Sequence, residues 1–374
     1  MLSDIVSYFM QLVTIDSESL DERAVVDAVK EDLLSLGAEV VEDNAYVIIG
    51  GNAGNILARF PGRADIAPIL FCAHMDTVKP GKGIHPQICE NRICSDGSTV
   101  LGGDDKSGVA EILFGIKKAQ ESGIALAPIE VLFTVSEEIG LLGAKNFDRS
   151  LLKAAFGYAL DAHRVGDLLL GAPAQNSIRI TITGKEAHAG VEPEKGINAI
   201  CVAAEAIASM PMGRIDHETT CNMGVINGGS STNIVPNKVI LKGEARSHNP
   251  HKLEQVCLDI RHAVESAVQR HHYDFGFAGY EFVMHQEYAA FRIPEDQKVV
   301  QLALDALSKL QITAETTVGG GGSDANIFNG QGLPMIICGT GMNKVHTVEE
   351  DIEIKELQRG VEFINMLIRL HSEG

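Results

Sequence analysis

Apolar residues recur along this chain with two periods, and the change from one to the other marks its elements. Ile5, Phe9, Leu12 and Val13 share one face at helical spacing, and Val25, Val26, Val29, Leu33 and Leu34 form a second stripe that Gly37 ends. Short apolar runs at 55–60, 69–73, 129–135 and 156–160 read as buried strands, with a helix over 108–121 between the second and third. This alternation predicts an α/β sandwich: a mixed sheet between helical layers. From Ser177 the order becomes strand 178–183, helix 197–210, strands 222–227 and 238–246, helix 252–269 and strand 280–284. That is a βαββαβ unit of the ferredoxin-like, split βαβ kind. A helix at 297–310 and a strand at 334–339 follow it, so the unit reads as an insertion. The expected organisation is a discontinuous catalytic domain, 1–177 with 287–374, interrupted by a lid domain at 178–286. No internal repeat or low-complexity linker marks the joints.

Composition narrows the function. A length of 374 residues, 45% of them hydrophobic, supports one large core and a smaller one. Fifty acidic against 31 basic residues give a formal charge of −19, which disfavours nucleic acid and anionic membrane surfaces as partners. The seven cysteines are odd in number and scattered without a Cys-x-x-Cys pair, so they suggest neither a disulfide framework nor a cysteine zinc site. Cys89 and Cys94 read as strand residues of a hairpin. The N-terminal stretch from Met1 to Met10 lacks a basic n-region, and no apolar run approaches the ~18 residues of a membrane span. A cytoplasmic location, with no membrane partner, is the expectation.

The candidate chemistry lies just after the apolar runs. His74 and Asp76 alternate onto one face if the segment is extended, so Asp76 can fix the ring of a metal-binding His74. Gly103-Asp104-Asp105-Lys106 and Ser136-Glu137-Glu138 supply further carboxylates, and in an extended segment the two glutamates face opposite ways, one to bind and one to accept a proton. A solvated helix N-terminus is the plainer reading of that pair. Asp161 ends the fourth apolar run, with Asp167 and His163 as competitors for its role, and His346 sits in a late loop. The glycine-rich stretch from Gly319 to Gly322 lacks the Lys-Ser/Thr of a phosphate loop and offers backbone amides at most.

His74-Met75-Asp76-Thr77-Val78, Gly102-Gly103-Asp104-Asp105-Lys106-Ser107-Gly108, Ser136-Glu137-Glu138-Ile139-Gly140, Gly184-Lys185-Glu186-Ala187-His188-Ala189-Gly190, Asn233-Ile234-Val235-Pro236 and Val345-His346-Thr347, in this order, resemble the M20 metallopeptidase family. The resemblance covers nearly the whole chain and is nearest to the peptidase T-like branch. It implies two divalent ions, zinc by expectation, sharing Asp104: one completed by His74 and Asp161, the other by Glu138 and His346. It further implies Glu137 as general base, Asp76 as the residue behind His74, and His188, Asn233 and Arg246 as substrate contacts on the lid. Arg246 has the simpler alternative of pairing with Glu244. A short peptide substrate, tripeptide aminopeptidase activity and a homodimer through the lid follow from the same resemblance. The Ala187-His188-Ala189-Gly190 stretch is also similar to the carboxypeptidase G2-type pattern, which keeps open a carboxypeptidase or an aminoacylase-like amidohydrolase on N-acyl amino acids. A non-catalytic metal- or peptide-binding protein is the reading of another class, and the presence of every expected ligand type speaks against it.

Overall fold

The computed structural model describes residues 4–374. Met1, Leu2 and Ser3, which open the N-terminal stretch read above and the first expected domain, lie outside the described residues. The chain forms two compact units: Met1–Gly171 with Arg292–Gly319 and Ser323–Gly374, and Ala172–Phe291 with Gly320–Gly322.

In the first unit an eight-stranded sheet runs in the order Glu39–Glu42, Ile56–Phe60, Ile129–Thr134, Ile69–His74, Gly157–Ala162, Met335–Gly339, Asp167–Leu169, Glu315–Thr317. Its four middle strands are parallel; Ile56–Phe60 and Asp167–Leu169 run antiparallel to them on either side, Glu39–Glu42 antiparallel to the first of these and Glu315–Thr317 parallel to the second. Every residue of Ile69–His74 and Ile129–Thr134 is buried, which is why these segments appear as apolar runs, the second interrupted only by the buried Glu130. Their side chains join one core with Ile112 and Leu113 of the Gly103–Glu121 helix and Ile364 and Leu367 of the Ile354–Glu373 helix.

The Ile5–Val13 helix buries Ile5, Phe9, Leu12 and Val13. In the Arg23–Ser35 helix Val25, Val26, Val29 and Leu33 are buried, but Leu34 is exposed. Leu33 completes the stripe, and Leu34, one position on, is turned about 100° from it. The helix expected at 108–121 begins at Gly103, although Asp104 and Asp105 lack helical backbone angles, and the peptide bond between them is cis.

The second unit is an antiparallel sheet in the order Gly213–Arg214, Thr219–Gly228, Lys238–Ser247, Ala174–Thr183, Gly279–Tyr288. Helices Ala199–Ser209 and Pro250–Arg270 share its core. Asn198 and Asn249 cap these helices, each accepting from two backbone N–H groups of the first turn. The first long strand starts at Ala174, four residues before the apolar run shows it. Gln175, Asn176 and Ser177 are polar, yet they are paired with Arg246, Ala245 and Glu244.

The Gln87–Cys89 and Arg92–Cys94 strands form a hairpin, and a disulfide joins Cys89 to Cys94. The scattered cysteine spacing concealed this single cross-link. It follows from the tight hairpin, whose register places the two sulfurs diagonally across from each other. Among the described residues no helix is long and apolar enough to cross a membrane.

His371, near the end of the last helix, packs edge-on against Phe156 and reaches the Ala67 carbonyl with Nε2 at 2.8 Å. Burial holds its pKa below the ordinary histidine value. The unfolded chain therefore takes up a proton near pH 6.5 that the folded chain refuses. This contribution to stability is present above about pH 6.5 and is lost as pH falls below it. Relative to His371→Leu, the wild-type melting temperature is expected to fall as pH is lowered from 7.5 to 5.5. Equal slopes in the two proteins would contradict this.

Candidate metal centre

The carboxyl ends of the middle strands deliver the acidic residues to one place, as open α/β sheets do with their ligands. His74 is the last residue of its strand, Asp161 is the penultimate residue of Gly157–Ala162, and Glu137 lies just past Thr134. Asp104 arrives from the helix entrance. There Gly102 has φ +72°, a left-handed conformation that costs a glycine little. Glu350 anchors this entrance: Oε2 accepts from the N–H groups of Leu101 and Gly102, both at 2.8 Å, and Oε1 accepts from Asp104 N–H at 2.9 Å.

Asp104 stands between two imidazoles. His74 Nε2 is 3.1 Å from Asp104 Oδ1, and His346 Nε2 is 3.2 Å from Asp104 Oδ2 and 3.0 Å from Glu138 Oε1. Donor atoms of His74, Asp104 and Glu138 all lie within 4.8 Å of one another. The other ring nitrogen of His74, Nδ1, faces the Asp76 carbonyl at 3.0 Å and Asp76 Oδ1 at 3.4 Å, so a proton on Nδ1 leaves the Nε2 lone pair directed at the cluster. Asp161 makes no hydrogen bond to these residues. Burial and the neighbouring Asp104 charge push its carboxyl up to about 8.

The glutamate pair departs from the extended geometry expected for it. The strand stops at Thr134, and Ser136 takes φ +53°. The chain turns here, with Gly140 and Leu141 N–H both bonding back to the Glu137 carbonyl. Asp76 accepts from the backbone N–H of Glu137 at 2.9 Å and of Glu138 at 3.2 Å. The helix that follows starts only at Leu142, so the glutamates do not form a helix N-terminus.

Electrostatics fit a cation site. Burial by itself would lower the His74 pKa, but Asp104 and Asp76 against its two nitrogens raise it well above the ordinary value. Asp104 and Glu138 bring His346 up to about 10. Burial drives Glu137 well above the carboxylate range, with Asp161 and Asp324 adding like charge. The carboxylates thus favour positive charge at both imidazoles, in positions where divalent ions would serve the same donors better. The oxygen and nitrogen donor set suits zinc, cobalt or manganese.

Sequence reasoning overlooked several participants. Asp105 Oδ2 accepts from His74 N–H at 3.2 Å, fixing the strand end. Asp324 accepts from the Thr134 hydroxyl at 2.5 Å, and its Oδ1 is buried without a partner. The Ser323-Asp324 pair was visible only as the end of a glycine run, and Glu350 only as one acid among four between His346 and Ile354.

The three expected substrate residues belong to the second unit. His188 is exposed and bridges to Ile234, and its Nδ1 accepts from Gly190 N–H at 3.2 Å. Asn233 is exposed, with its carbonyl accepting from Ala189 N–H and its side chain from the Ser231 hydroxyl. Arg246 Nε pairs with Glu244 Oε1 at 2.9 Å, the simpler of the two readings for that residue.

Residues 70–370 match the model of peptidase family M20/M25/M40. The uncharacterised protein YqjE of Bacillus subtilis (strain 168) is 41% identical over 361 residues, covering 96% of each chain. An aminopeptidase PepT from Bacillus cereus ATCC 10987 has a similar structure, with a TM-score of 0.87 and 39% identity over 98% of both chains. A tripeptidase from Staphylococcus aureus gives a TM-score of 0.92 at 36% identity, over 99% of this chain and 98% of its own.

Proposed function

This chain belongs to the M20/M25/M40 peptidase family and is a metal-dependent peptide hydrolase of the peptidase T-like branch, and we propose that it releases the N-terminal residue of tripeptides at a two-metal centre. The observation that carries the two-metal reading is Asp104, whose two oxygens face the Nε2 atoms of two different histidines at 3.1 and 3.2 Å. A carboxylate so placed is suited to bridging. His74 and Asp161 would hold one ion, and Glu138 and His346 the other. Bound there, the ions would polarise the scissile carbonyl and make an attacking water more acidic.

The remaining work falls to the chain. Glu137 is buried and belongs to neither ligand set, so its carboxylate is free to take a proton from water and return it to the leaving amine. Its raised affinity for protons suits that transfer. Asp76 orients the base through the Glu137 N–H and holds the His74 ring through Nδ1. His188, Asn233 and Arg246 are proposed as substrate contacts, with Arg246 exchanging Glu244 for a peptide carboxylate. The names of two relatives, an aminopeptidase and a tripeptidase, favour the tripeptide reading over a carboxypeptidase or an amidohydrolase.

The test is turnover by zinc-loaded enzyme of an unblocked tripeptide, its N-acetylated form and an N-acyl amino acid. Cleavage of the free tripeptide alone is the expected result. Cleavage of the blocked compounds would move the assignment to carboxypeptidase or amidohydrolase chemistry, and silence on all three would favour a binding protein.

A homodimer through the Ala172–Phe291 unit belongs to the same proposal. Gly213–Arg214 covers only the start of the Thr219–Gly228 edge strand, and Val225 and Ile226 beyond it are exposed. Sedimentation at micromolar concentration is expected to give twice the chain mass; a monomer would refute the assignment.

A further inference from the structure

The loop between the first two helices carries no sequence motif, yet it grips both segments that form the catalytic turn. Ser19 donates its hydroxyl to Asp76 Oδ2 at 2.7 Å. Glu22 is fully buried, and its Oε1 alone accepts from Ser136 N–H at 3.0 Å, the Ser136 hydroxyl at 2.7 Å and Leu20 N–H at 2.9 Å. Leu20 N–H also reaches Ser136 Oγ at 3.2 Å. Upstream, Thr77 N–H donates to the Ser17 carbonyl at 3.0 Å.

Ser136 explains the need for such a grip. Its φ of +53° is left-handed, a conformation disfavoured for any residue with a Cβ. That turn takes the chain off the strand after Thr134 and presents the N–H groups of Glu137 and Glu138 together to Asp76. So turned, Ser136 gives both its N–H and its hydroxyl to Glu22 Oε1.

We propose that Glu22 is a positioning residue for the general base: its Oε1 locks Ser136 in the left-handed conformation that aims Glu137 and Glu138, while Ser19 secures Asp76 on the opposite side of the same turn. The inference rests on the reading of Glu137 as the base. It assigns Glu22 no contact with substrate or metal. Glutamine at position 22 keeps a carbonyl oxygen where Oε1 stands, so the acceptor survives without the charge.

The experiment compares wild type, Glu22→Gln, Glu22→Ala and the double variant Glu22→Ala/Ser136→Gly on the tripeptide that the wild type cleaves, with metal content and melting temperature measured alongside. Glu22→Ala is expected to lose about 10²-fold in kcat per bound metal ion, as misplaced catalytic groups do, with KM little changed. Glu22→Gln should stay within about tenfold of wild type in kcat. Adding Ser136→Gly should recover at least about tenfold in kcat over Glu22→Ala, because glycine takes positive φ without a partner to hold it. If Glu22→Ala does not fold, Glu22→Asp, whose carboxylate stops one methylene short, carries the same comparison with and without Ser136→Gly. Wild-type kcat in Glu22→Ala, or a double variant no better than the single one, would overturn the proposal. A wild type inactive on tripeptides would remove the tripeptidase reading itself, and this inference with it.

Discussion

Replacing Glu137 with alanine is expected to lower kcat on a tripeptide by about 10³-fold, within the range that a positioned acid–base group contributes, while bound metal stays at the wild-type level. The expectation follows from position. Glu137 is buried beside the ligand cluster, yet the hydrogen bonds that link the cluster run through Asp104, Glu138 and the two histidines. Removing it takes away the group that moves the proton and leaves the donors in place. Metal analysis of the same sample used for kinetics separates the two effects. A Glu137→Ala protein that kept wild-type turnover would end its assignment as the base, and one that lost its metal would place it among the ligands.

Asp104→Ala should act in the opposite order, losing metal first and activity as a consequence. Both Asp104 oxygens are committed, one toward each imidazole, so its loss opens both halves of the centre at once. Bound metal should fall below one ion per chain and turnover should become undetectable. The metal-free proteins offer an independent readout. His346, brought up to about 10 by Asp104 and Glu138, should titrate at lower pH in the variant. The sign follows directly: an acceptor that favoured the imidazolium has been removed. Unchanged His346 titration in a folded Asp104→Ala protein would contradict the geometry on which the two-metal reading rests.

Much of this centre was legible in the sequence because each donor ends an apolar run or opens a turn. His74, Asp104, Glu138 and His346 come from four separated segments, and the structure brings their donor atoms into contact. The elements of both units were readable for a similar reason: strands buried on both faces appear as runs that are almost wholly apolar, and two amphipathic helices pack on the inserted sheet. What stayed hidden depends on polar pairing across long sequence separations. Ala174–Ser177 is strand only because a partner strand satisfies its polar residues. Glu22 and Glu350 resemble ordinary surface acids in sequence, yet both are buried against backbone N–H groups more than a hundred residues away. Strand alternation through Glu137 and Glu138 was expected, whereas the chain turns at the left-handed Ser136, a backbone state that no residue type announces.

Metal stoichiometry tests the shared Asp104 most directly. Metal-free protein equilibrated with zinc, dialysed and analysed for bound metal is predicted to retain two ions per chain, falling below one in Asp104→Ala. One ion or none in the wild type, or two ions retained by Asp104→Ala, would contradict the shared carboxylate at the centre of this mechanism.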